Sequence, residues 1–160
     1  MNHLLPGMTP SAPDDRGDPD PELAAALAAD DRVAVHARLP HARLLVPVVA
    51  MPHDAGDNHG AGDNNRAGGE ADMAVPTLVN AAGRRGLPVF SALAALTDWR
   101  PDARPVPVAG ARVIAAALEE RYDGLVIDVA GPAPFVLEPA ELRLLAGLTH
   151  KSGTETGPDC

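Results

Sequence analysis

The chain has 160 residues, a length that suits one domain at about 100–200 residues per domain, so a second core is not expected. Its formal net charge of -9 argues against a surface built to neutralise a nucleic-acid backbone, so nucleic acid is not an expected partner. Apolar residues make up an ordinary 46%, but aromatics only 2%, so the core must be assembled from Ala, Val, Leu and Pro, and each aromatic present should anchor packing.

Residues 1–20 mix Pro, Gly, Ser and Asp with few large apolar side chains, a composition that does not offset the entropy of ordering; they are expected to form a disordered arm. They show no basic segment followed by an apolar one, and no stretch of the chain approaches the ~20 apolar residues needed to span a bilayer. A helix is predicted from Pro21. Asp20 suits the cap, Pro21 the first helical position, and the alanines up to Ala29 favour helix. It should end before Pro40, with Leu23, Leu27 and Val33 facing the core.

The run from Arg43 to Met51 is continuously apolar and rich in β-branched residues, which predicts a strand buried on both faces. Pro47 lacks an N–H and places that strand at a sheet edge or on a bulge. Residues 52–71 are Asp, Asn, Gly and His without apolar periodicity and read as a flexible insertion. Asp72 to Asn80 and Leu87 to Ser91 are apolar runs around a Gly-containing turn, the pattern of a β-hairpin with Arg84 and Arg85 at its tip.

Ser91 stands where this strand gives way to Ala92–Leu96, which predicts a helix N-cap, although Ala94 occupies the place where a Glu would complete a capping box. Trp99 closes that short helix. Beyond it, Pro105–Val108 reads as a strand, Ala109–Tyr122 as a helix packing through Val113, Leu118 and Tyr122, and Gly124–Val129 as an apolar strand. Gly131-Pro132 makes a turn, Phe135–Leu137 a last strand, and the helix opened by Glu138 and Pro139 places Leu142, Leu145 and Leu148 on one face. Residues 149–160 read as a disordered tail. The pattern predicts an α/β (α+β) fold over residues 21–148: a two-layer sandwich of a small mixed sheet with a β-hairpin and packed helices.

Catalytic equipment is sparse. The phosphate-binding glycine loops G-x-x-x-x-G-K-[ST] and G-x-G-x-x-G do not occur, and Ser91 lacks the small glycines of a nucleophile elbow. The other nucleophile candidates, Ser11, Ser152 and Cys160, fall in the expected disordered ends, and a lone cysteine forms no intrachain disulfide. His53, Asp54, His59 and Asp63 are metal-capable, but Asp63-Asn64-Asn65 fails the calcium-loop pattern at Ala67 and Ala74, and no His pair has the helical spacing of a zinc site. Neither a metal nor a cofactor is expected. Asp128 falls within an apolar strand, where its carboxylate needs donors; turn amides near Gly131 are the expected ones, and a place in a pocket wall beside Ser91 is the alternative. Arg84 and Arg85 either keep a turn tip soluble or grip an acidic partner; Trp99 and Arg100 either pack or form a binding hot spot.

The segments Asp72–Leu78, Leu87–Ser91, Trp99–Val108 and Leu125–Pro132 together resemble the SseB N-terminal domain family, over roughly Leu23 to Leu148. The Trp99-Arg100-Pro101 block is the most specific part of that resemblance. It implies a bacterial, cytoplasmic protein carrying the label "enhanced serine sensitivity", which is a phenotype, and it carries no catalytic residue set. The expected function is accordingly a non-enzymatic interaction domain of uncharacterised role, its partner-binding candidates being Arg84, Arg85, Trp99 and Arg100. The alternative is sensing of a small molecule such as an amino acid, or catalysis, at a pocket near Ser91 and Asp128.

Overall fold

The computed structural model describes residues 16–51, 72–132 and 134–151. The expected insertion at 52–71, with its metal-capable side chains, lies outside them, as do Ser11, Ser152 and Cys160.

The N-terminal helical stretch is two helices, α1 (Pro21–Ala28) and α2 (Arg32–Arg38), where the sequence suggested one. The Asp20 carboxylate accepts from the Leu23 amide at 3.0 Å and caps α1; Asp31 does the same for α2 through Ala34 at 3.1 Å. Between them Asp30 turns left-handed at φ 51°, and the Asp30 and Asp31 amides return to the Leu27 and Ala26 carbonyls. Asp tolerates this conformation better than most residues, so no glycine announced the break. Its consequence is a correction at Val33, which is 78% exposed while Val35 is buried in its place.

A short 3-10 turn, Leu39–His41, leads into β1 (Arg43–Met51). Then follow β2 (Asp72–Ala74), β3 (Leu78–Val79), β4 (Arg85–Val89), α3 (Leu93–Trp99), β5 (Arg104–Ala109), α4 (Gly110–Glu119), β6 (Gly124–Ile127), β7 (Phe135–Leu137) and α5 (Pro139–Lys151). One antiparallel sheet has the order β2-β1-β5, and a mixed sheet the order β3-β4-β6-β7, in which β4 and β6 run parallel. Leu45 and Phe90 exchange backbone hydrogen bonds at 2.8 and 2.9 Å and join the two sheets through β1 and the residue that follows β4. The fold is α+β, as the alternation of elements implied.

The Leu45–Phe90 pair also explains the prolines. Because the Leu45 amide points at Phe90, Leu45 and Pro107 form a non-hydrogen-bonded pair across β1 and β5, and so, two residues on, do Pro47 and Pro105. Pro47 therefore turns its nitrogen toward the gap between Phe90 and the end of β2 at Ala74, which pairs with Val49. The strand is central and pairs on both sides, which corrects the expected edge or bulge. Pro105 and Pro107 face the free edge of β5, where missing donors blunt pairing with other chains.

Alternation along the strands sends two sets of side chains to opposite faces. Leu44, Val46, Leu87, Val89, Leu125 and Ile127 form the main core with Leu23 and Leu27 of α1, Val35 of α2, Val113 and Ile114 of α4, and Leu142 and Leu145 of α5. Leu45, Val49 and Phe90 face the other way and are covered by Leu96 of α3, with Ala103, Trp99 and Val129 around them. Leu148, expected on the buried face of α5, is 55% exposed. All four aromatics anchor packing: Phe90, Phe135 and Tyr122 are buried, and Trp99 stacks on Phe90 with ring centroids 5.3 Å apart.

α4 follows β5 without a loop because Gly110 donates to the Ala42 carbonyl at 2.8 Å, and a Cβ there would stand 1.8 Å from the Leu39 carbonyl oxygen. α4 ends when Arg121 turns left-handed at φ 57° and Tyr122 returns its amide to Ala117. α5 is tied to α2 by Glu141, which accepts from Arg32, from His36 at 2.9 Å and from the Glu138 amide at 2.7 Å.

Gly110→Ala is expected to lower the unfolding free energy by at least about 2 kcal/mol, read from a urea midpoint, since backbone must move to admit the methyl. Acid should also destabilise the fold. The Arg38 guanidinium, with the Leu23 amide, holds the Asp20 carboxyl below its ordinary 3.8; burial raises the Glu141 carboxyl, but the Glu138 amide, Arg32 and His36 outweigh it and hold Glu141 below 4.5. Both groups are depressed in the folded chain, so their stabilisation is present above the ordinary carboxylate values and is lost as pH falls through the folded ones. Thermal midpoints measured downward from pH 6 should fall less steeply for the double variant Asp20→Asn, Glu141→Gln than for the native chain.

Candidate functional site

The parallel strands β4 and β6 end side by side, with Val89 opposite Ile127, and the residues just beyond them meet. The Asp128 carboxylate accepts from the Ser91 amide at 2.8 Å and from the Ser91 hydroxyl at 2.6 Å. Asp128 itself is left-handed at φ 53°, which is why β6 stops at Ile127 and not at Val129 as its apolar run suggested. The Asp128 amide still completes the ladder by donating to the Val89 carbonyl at 3.0 Å, and its carbonyl accepts from Gly131 at 2.9 Å.

These contacts revise two expectations. Ser91 does not cap α3, which starts at Leu93 after an Ala92 cap with no side-chain bond; the Leu93 amide is taken by the Gly17 carbonyl at 2.8 Å. Gly17 belongs to the stretch read as an arm, and no sequence signal pointed to this contact. The Asp128 carboxylate, for its part, bonds Ser91 and not the amide of Gly131. The pair faces a cleft of about 350 Å³ between α1 and α3, walled by Ala24, Leu27 and Ala28 on one side and Ala92, Ala95 and Asp98 on the other.

The second feature is the outer face of β3-β4-β6-β7. No helix covers it in the described residues, and it forms a shallow groove of about 300 Å³ floored by Leu78, Val126, Val129 and Val136. The hairpin of β3 and β4 bounds one end. Asn80 shapes its turn by accepting from the Ala82 and Arg84 amides at 3.0 Å, and Gly83 supplies the left-handed residue at φ 78°.

Arg84 lies in that turn and pairs with Glu138 at 3.2 Å. Arg85 is the first residue of β4 and not part of the tip; its guanidinium lies 4.9 Å from the centre of the Tyr122 ring, and its amide donates to Asp123 at 2.8 Å. Trp99 and Arg100 lie past the opposite end of β4, where Trp99 packs on Phe90, itself roughly 17 Å along the strand from Arg85 at about 3.3 Å per residue. The fold thus separates the four partner-binding candidates into two pairs. Val129 connects them, lining the groove and packing in the cluster that contains Trp99. Arg100 pairs with Asp102 at 3.2 Å and stands 6.0 Å from the Trp99 ring centre. Val136, on which no sequence signal fell, is 43% exposed at this face.

The chain matches the model of the SseB protein N-terminal domain over residues 22–144. It belongs to that family. The matched SseB region runs from the first turn of α1 into α5 and includes every strand, the Ser91–Asp128 pair and the hairpin. Neither a curated protein nor a solved structure matches the chain. Among the described residues no group of three or more His, Cys, Asp and Glu side chains is placed to hold a metal ion, and no helix is long and apolar enough to cross a membrane.

Asp128→Ala should cost about 2–4 kcal/mol, combining loss of charge-assisted bonds to Ser91 with a left-handed alanine. Asp128→Asn keeps an acceptor and tolerates that backbone, so its urea midpoint should fall by less than half as much. Equal losses for the two variants would show that the Ser91 contacts do not hold this junction.

Proposed function

We propose that this SseB N-terminal domain is a non-enzymatic cytoplasmic interaction module whose open sheet face binds another polypeptide. One observation carries the reading: among the described residues the second face of the sheet is covered by α3 at its β1 end alone, leaving Leu78, Val126 and Val136 as a continuous apolar surface. Apolar patches of this kind, rimmed by polar groups, are where soluble domains meet partners. Arg84 at one end and Trp99 and Arg100 at the other supply side chains favoured at such interfaces, while the Arg85 side chain turns to Tyr122 on the main-core face. The ion pairs of Arg84 with Glu138 and of Arg100 with Asp102 are exposed, so exchanging either for a partner's carboxylate costs little.

The chemistry of Ser91 supports the non-enzymatic part. Its hydroxyl donates straight to a carboxylate, whereas a serine nucleophile is activated by a base that an acid then orients. His36, the histidine with a side-chain partner among the described residues, bonds Glu141 between α2 and α5.

Affinity purification from a lysate of the source cells tests the reading with the native chain, Val136→Arg, and the double variant Arg84→Glu, Arg100→Glu. A protein retained by the native chain and lost from both variants, with their circular dichroism unchanged, is the expected result. A captured set that is empty, or the same for all three, overturns it.

A further inference from the structure

The cleft past the ends of β4 and β6 is a separate site from the sheet face. It lies where ligands gather in sheets with parallel strands, at the carboxyl ends of adjacent strands and between helices packed on opposite faces. Here α1 sits on the main-core face and α3 on the other, so the crevice between them opens over Ser91 and Asp128. Its volume of about 350 Å³ falls within the range of small-molecule pockets.

The polar groups define the ligand. Besides Ser91, no lining side chain among the described residues carries a hydrogen-bond donor, and the Ser91 hydroxyl hydrogen is committed to Asp128 Oδ2 at 2.6 Å. That bond leaves the oxygen of Ser91, a residue 7% exposed, to act as an acceptor. The Asp128 carboxylate has about four acceptor positions, and Ser91 occupies two of them. Asp98, on the α3 wall, adds a second carboxylate, and among the described residues no Lys, Arg or His lines the space. The side chains of the cleft therefore offer acceptors and negative charge, set in walls of alanine methyl groups.

We propose that this cleft binds a small organic cation, an ammonium group on a compact apolar body, with the ammonium donating to Asp128 and Ser91 and the body lying between the alanines of α1 and α3. At about 30 Å³ per water-sized group the space holds roughly ten non-hydrogen atoms. Anions are repelled by both carboxylates, and a neutral alcohol keeps the apolar contact but forgoes the charge-assisted bond.

The test is a nitrogen–proton correlation NMR titration of the full chain with three probes of one shape: cyclohexylmethylammonium, cyclohexylmethanol and cyclohexanecarboxylate. The ammonium should shift the amides of Ser91, Asp128 and Gly131 with a dissociation constant on the order of 1 mM; the alcohol should bind more weakly and the carboxylate should leave them unmoved. Asp128→Asn should weaken the ammonium at least about tenfold. Ala95→Leu, which keeps both carboxylates and fills the cleft, should abolish the shifts. The proposal is overturned if the ammonium moves none of these amides, if the carboxylate moves them equally, or if Ala95→Leu binds as the native chain does, which would mark surface ion pairing. None of these results bears on the sheet-face partner, since Val126 and Val136 line the other surface.

Discussion

Leu45 and Phe90 exchange their backbone hydrogen bonds at the point where one sheet ends and the other begins, and most of the remaining architecture depends on that contact. It sets the phase of β1, so that the donors of alternate residues face β5 and those between face β4 and β2. That phase makes Pro47, Pro105 and Pro107 compatible with a paired central strand. It also turns the Phe90 ring to the face opposite the main core, where α3 and Trp99 pack on it. In a chain with four aromatics, the Phe90–Trp99 contact is the centre of the smaller core.

The same junction produces both candidate sites. Among the described residues α3 covers the sheet only near β1 and leaves the outer face of β3-β4-β6-β7 open; and because the chain leaves β4 at Ser91 toward that face while α1 packs on the other, a crevice remains at the strand ends. The two sites differ in chemistry. The open face is apolar with arginines at both ends, whereas the cleft is small, methyl-lined and rich in acceptors. One suits an extended macromolecular contact and the other a compact molecule. Membership of the SseB N-terminal domain family covers the residues of both.

Charges in this acidic chain are placed where they hold elements together. Asp20 caps α1 while pairing with Arg38 of α2 at 2.6 Å, and Glu141 closes the first turn of α5 while receiving Arg32 and His36 from α2. Each carboxylate thus serves a helix end and a helix pair at once. α2, short and with a single fully buried residue in Val35, is fastened chiefly through these contacts.

Much of the fold was legible in the sequence because burial leaves a period. β1, the hairpin of β3 and β4, α4, β6, β7 and α5 all follow from runs and alternations of apolar residues, and the Trp99 block carried the family resemblance. The errors fall where long-range contacts decide. Val33 and Leu148 have the right local spacing, but a left-handed Asp30 and the extent of the core put both in solvent. Ser91 reads locally as a cap, yet α3 begins only at Leu93, whose amide is taken by the Gly17 carbonyl, and the Ser91 hydroxyl donates to Asp128, 37 residues away. Pro47 reads as an edge signal, and only the register against β5 shows which way its nitrogen points. Residue order alone determined the helical or extended character of most segments, since side-chain pattern and backbone propensity are local properties, but not the break of the Asp72–Asn80 run into β2 and β3 of different sheets. Which face stays open, and which polar groups meet, was decided by tertiary structure, because both depend on the pairing of strands far apart in the chain.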